Sequence, residues 1–297
     1  MKKLTFISLV LFLWTITQLL AGQSALKDDN PNEQAQIRVI YHFSQKVIKD
    51  KEPIFITDTM ALDIGNNWSV YYDWNKARRD SLSEANFRNN PPKRVSLRFS
   101  EDELQQRLDA RNQIINTIDR SKGERARIYK YRTSGKVFLF DDAPNAYPGG
   151  NIKYFKLMEN IPSQNWQILN DTATILGYTC MKATSFFRGR IYNAWFTLDI
   201  PINDGPWKLY GLPGLILKVE ENNQVFIFEA IGIQKTKNEI IHFPTDREII
   251  NCESLKDIKL YRKNQFKNVS IGFSDGEGGL IYYNIKNPVT FNELEIE

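Results

Sequence analysis

Carboxylates beside indole rings are the residues of this chain best equipped to do chemistry. Asp199 and Asp204 lie within a few positions of Trp195 and Trp207. Such a pair can work on a glycosidic bond, one carboxyl protonating the leaving oxygen while the other activates water. Phe226 and Phe228 add aromatic surface on a later segment. The candidate ligand-binding set is therefore Trp195, Asp199, Asp204, Trp207, Phe226 and Phe228. Whether the two carboxylates converge depends on the elements that carry them.

A nucleophile is harder to find. Gly272-Phe273-Ser274-Asp275-Gly276 matches the G-x-S-x-G pattern of a nucleophile elbow. The histidines, His42 and His242, both precede Ser274, whereas the hydrolase order places the histidine after the serine. No strand-elbow-helix pattern surrounds it, so a glycine-rich loop is the plainer reading and no catalytic residue is assigned. Two separated histidines and two separated cysteines lack zinc-site spacing, and Asp275 and Glu277 lack the spaced ligands of an EF-hand. No metal and no cofactor is expected. Cys180 and Cys252 are a disulfide candidate, one that could contribute about 4 kcal/mol in an oxidising compartment; the alternative is two buried thiols.

The compartment is read from the first residues. Lys2 and Lys3 precede an apolar run from Leu4 to Leu20 that ends in Ala21 and Gly22, the layout of a secretory signal over residues 1–22. An uncleaved anchor is the rival reading, since about 20 apolar residues can span a bilayer. Thr15, Thr17 and Gln18 thin the run, and no cysteine stands near the cut to accept lipid. The expectation is an exported protein, periplasmic or secreted, with neither a lipid anchor nor a membrane span after cleavage. The formal charge of +4 falls to +2 once Lys2 and Lys3 leave, and the basic stretch from Arg120 to Arg132 is interrupted by Glu124. Nucleic acid is not an expected partner.

Strand periodicity dominates the rest. Ile37, Val39, Tyr41 and Phe43 alternate with polar residues, and Met60, Leu62, Ile64 and then Trp68, Val70, Tyr72 continue the pattern. A capping box at Ser100 and Glu103, followed by Leu104, Leu108, Ile115 and Ile118, predicts a long helix over residues 101–120. A shorter turn of helix is expected near 76–85, and a C-terminal helix over 254–265. Strands return at 128–132 and 136–141 about a Thr133-Ser134-Gly135 turn, and again at 152–158, 165–169, 178–187, 191–200 and 225–233. Within 191–200, Trp195 and Asp199 fall on the polar side. The later strand, with Phe226 and Phe228, is apolar on both sides and is expected mid-sheet. The fold class is α+β, mainly β: one domain over residues 23–297, with a curved antiparallel meander sheet, bowl or half-barrel, packed with the long helix and the shorter C-terminal one.

One stretch interrupts this regularity: Gly205-Pro206-Trp207-Lys208-Leu209-Tyr210-Gly211-Leu212-Pro213-Gly214-Leu215-Ile216. Pro213 fixes its own φ and Gly214 can supply the positive φ of a type II turn, making a sharp corner. Leu212, Leu215 and Ile216 are costly to expose, so the corner is expected to be buried scaffold. With Gly211 to Ile216 intact, and with Gly177-Tyr178-Thr179-Cys180, Ala194-Trp195-Phe196-Thr197, Ile200-Pro201 and Gly205-Pro206-Trp207 upstream, the chain resembles the GLPGLI family of exported bacterial proteins. That resemblance covers residues 37–236 and implies a lineage and a compartment without a reaction. A similar bowl-like β domain stands at the N-terminus of some secreted glycan-removing amidases, which implies an accessory or binding module.

Three functions follow. The leading one is a non-enzymatic binding or assembly module of the cell envelope, whose partner is an envelope protein, a peptide, a glycan or a lipid. The second is a carrier of an apolar ligand or acyl chain in a half-barrel cavity lined by Trp195, Phe226 and Phe228. The third is a hydrolase acting on glycans or peptides through Asp199 and Asp204.

Overall fold

The computed structural model describes residues 31–49, 51–78, 126–143, 153–245, 248–258, 270–274 and 280–284. Twelve strands form one sheet, built from two meanders. The first comprises β2 (Ile37–Lys49), β3 (Glu52–Ile64), β4 (Trp68–Asp73), β5 (Arg127–Tyr131), β6 (Lys136–Ala143) and β7 (Lys153–Asn160). The second comprises β8 (Gln167–Ile175), β9 (Tyr178–Phe187), β10 (Arg190–Thr197), β11 (Leu215–Glu221) and β12 (Phe226–Lys235). They join where β12 returns antiparallel beside β2. β14 (Ile249–Cys252) adds to β7 in parallel, so β14 and β8 are the edges of an open sheet. Two small ribbons, β1 (Asn32–Gln34) with β13 (Ile240–His242) and β15 (Ser270–Ser274) with β16 (Leu280–Asn284), complete the strands.

Alternation explains the sheet. Val39, Tyr41 and Phe43 on β2 face the same side as Met60, Leu62 and Ile64 on β3, and all are buried. Tyr192, Ala194 and Phe196 on β10 join Phe226 and Phe228 on β12 in that core. The opposite side of β4 to β7 carries a second cluster, in which Trp68, Tyr129, Phe138 and Phe140 pack on Phe243. Strand β12 does lie mid-sheet, but it alternates: Phe228 is enclosed whereas Ile231 stands out at a bulge beside Gly232.

The α+β expectation is corrected to a fold that is nearly all β. The long helix over 101–120 falls outside the described residues, and helix among the described residues is confined to two short segments, 74–78 and 255–258. No helix there is long and apolar enough to cross a membrane. The core face that was to receive the long helix is occupied by a loop, because Trp207, Leu209, Tyr210 and Leu212 are themselves apolar enough to fill it. Sheet order also overturns the disulfide. Cys180 lies on β9, next to one edge strand, and Cys252 on β14, the other edge, and both thiols are free. Burial pushes both thiols above their usual range.

Candidate functional site

Between β10 and β11 the chain leaves the sheet and folds back over the core, and every residue from Asp204 to Tyr210 is buried. Side chains from the first meander hold it there. Lys130 of β5 forms an ion pair with Asp204 and donates to the Gly205 carbonyl at 2.5 Å. Lys208 pairs with Glu159 of β7, which also takes Arg188 at 2.8 Å. The Gln164 amide donates to the Lys208 carbonyl at 3.3 Å, and its oxygen accepts from the Tyr210 amide at 2.9 Å. The Trp166 indole donates to the Tyr210 carbonyl at 2.8 Å, and the Tyr210 hydroxyl donates to the Ile161 carbonyl. From beneath, Tyr41 donates to the Ile216 carbonyl at 2.6 Å. An irregular segment inside a core needs such partners for its backbone.

The glycines of this loop serve close approach more than turn geometry. A Cβ on Gly214 would lie 2.0 Å from the Thr197 carbonyl oxygen, and one on Gly205 2.8 Å from Ile216. The left-handed φ expected at Gly214 falls instead on Gly211, at 104°, and on Trp207, at 54°. Leu212, Gly214, Leu215 and Ile216 are buried, while Pro213 stands exposed. Burial holds the Lys130 ammonium below its usual range, against the pull of Asp204. The Tyr41 hydroxyl is pushed up by burial and then by the charge of Asp204.

The candidate set therefore splits. Asp204, Trp207, Phe226 and Phe228 are fully enclosed, Phe226 and Phe228 against Phe43. They offer no surface to a ligand, which corrects the shared face expected for Trp195, Phe226 and Phe228. Asp199 is exposed in the turn after β10, away from any pairing with the enclosed Asp204. The two carboxylates do not form an accessible acid–base pair. Ser274 ends a strand whose antiparallel partner begins at Leu280. Among the described residues no three His, Cys, Asp or Glu side chains gather as a metal site.

Trp195 points the other way, outward and half-buried. It stands in register between Lys182 of β9 and Lys218 of β11, each ammonium 5.6 Å from the indole centroid. Lys218 also reaches Glu220 at 2.9 Å and Glu229 of β12 at 3.5 Å. Burial works against its charge, but those two carboxylates overcome it and raise its pKa. Glu229 faces His42 of β2 in register, and His42 faces Thr59 of β3. Lys182, Thr59, Lys218, Glu220, Glu229 and His42 were not legible as a group. Alternation within each strand puts them on its polar side, but only sheet order sets them side by side.

The family model for an N-glycanase peptide, N-terminal domain, matches residues 155–262. No curated protein matches the chain. Among solved structures, PNGF-II in space group P21 is 15% identical with a TM-score of 0.48, and PNGF-II in space group C2 is 15% identical with a TM-score of 0.47. Each match covers 80% of this chain and 34% of the other, so this chain spans about a third of their length. The segment that contains the corner and four members of the Trp195 row, Lys182, Trp195, Lys218 and Glu229, is thus similar to the N-terminal domain of an N-glycanase.

Proposed function

We propose that this chain is a glycoprotein-recognising domain of the exported GLPGLI lineage, akin to the domain at the N-terminus of an N-glycanase. The observation that carries the reading is the family match over residues 155–262, the stretch that supplies the buried corner and most of the outward Trp195 row. Recognition is favoured over cleavage because Asp204 is neutralised by Lys130 inside the core while Asp199 stands apart. Hydrolysis of glycans is the second reading, and the same family description favours it, since it names an N-glycanase. Transport of an apolar ligand loses its support, because Phe226 and Phe228 lie inside the packed core. Export rests on the signal-like residues 1–22.

Calorimetric titration of the full chain with an N-glycopeptide and with its unglycosylated twin tests the proposal. The glycopeptide is expected to bind and the bare peptide to give no heat. Equal binding of the two, or binding of neither, would overturn recognition of the glycan.

A further inference from the structure

Resting on that reading, we infer that the glycan seat is the outward row centred on Trp195, and that it takes a neutral, extended oligosaccharide lying across the strands. The row runs through six neighbouring strands: Lys182, Trp195, Lys218, Glu229, His42 and Thr59 stand opposite one another in sequence of pairing. At about 4.8 Å per strand it extends roughly 24 Å, longer than a single sugar. The aromatic member is fixed in place: Trp195 is flanked on both neighbouring strands by ammonium groups. Little side-chain freedom is left to lose on binding, which favours affinity.

Charge decides the class of ligand. Lys182 and Lys218 are matched by Glu220 and Glu229, so this part of the face carries donors and acceptors but no net charge. A polyanion or an anionic lipid surface gains nothing from such a balance. A hydroxyl-rich neutral chain gains on both sides, because each hydroxyl can accept from an ammonium and donate to a carboxylate. Among the described residues, the core and the corner close the opposite face of these strands, while the outward face carries the partly exposed row.

The test uses the full chain and a free neutral oligomannose N-glycan, with a sialylated N-glycan as the charged comparison. Trp195→Ala should weaken oligomannose binding about tenfold or more, and Trp195→Phe should recover part of the loss. Lys182→Ala, a surface change that spares the core, should weaken it severalfold. Phe186→Ser, exposed on the same face but outside the row, should change nothing. The sialylated glycan should bind no more tightly than the neutral one. Wild-type binding that survives Trp195→Ala and Lys182→Ala overturns the site while leaving glycoprotein recognition standing. Tighter binding of the sialylated form overturns the neutral class. If the wild type binds neither the free glycan nor the glycopeptide, recognition itself falls and the site with it.

Discussion

A lysine and an aspartate enclosed by protein are costly to maintain, since each ion gives up its hydration and regains stability only from its partner. Lys130 and Asp204 are such a pair, and they tie the first meander to the loop of the second. Asp204→Asn should therefore destabilise the fold by about 3–5 kcal/mol, measured by chemical denaturation, because an unmatched ammonium remains buried. The loss should shrink with rising pH. Asp204 is what raises Lys130 against burial, so without it the ammonium titrates lower still; above that point the folded variant has shed a proton that the folded wild type keeps, and the gap in stability closes. A loss that does not change with pH would show that Lys130 is not the group left unmatched. Sequence placed Asp204 beside Trp207 but gave no hint of Lys130, 74 positions earlier. The contact exists only once β5 and the loop share a core.

At the scale of elements, alternation carried most of the strands, because one buried face imposes a period of two whatever the partner strand. Ile37 to Phe43, Met60 to Ile64, and the hairpin at Thr133-Ser134-Gly135 joining β5 to β6 were legible this way. The bulge that turns Ile231 outward was not, since a register shift leaves no local mark. The corner was recognised as buried, yet its glycine was explained by the wrong property. Gly214 is required by the approach of the Thr197 carbonyl, and left-handed geometry belongs to Gly211. Gly214→Ala should consequently lower the melting temperature steeply, because the Thr197–Leu198 backbone cannot yield to a methyl group, whereas Pro213→Ala, at an exposed position, should cost far less. Comparable melting temperatures for the two variants would refute the close-approach account. The disulfide failed for a related reason: even cysteine number and export say nothing of sheet order, which puts Cys180 and Cys252 near opposite edges.

The whole molecule divides its labour between the two sides of one sheet. Toward the core, the loop from Asp204 to Tyr210 joins the meanders with buried ion pairs and backbone hydrogen bonds. Away from it, Trp195 and its charged neighbours form a balanced polar row. Carboxylates that looked catalytic in the sequence are thereby separated, one by burial and one by exposure. Recognition without cleavage, as proposed, is tested by the mass of an N-glycopeptide recovered after incubation with the full chain under conditions where it binds. The glycopeptide should be recovered at unchanged mass. Release of the glycan, abolished by substituting Asp199, would contradict it and establish the chain as a hydrolase.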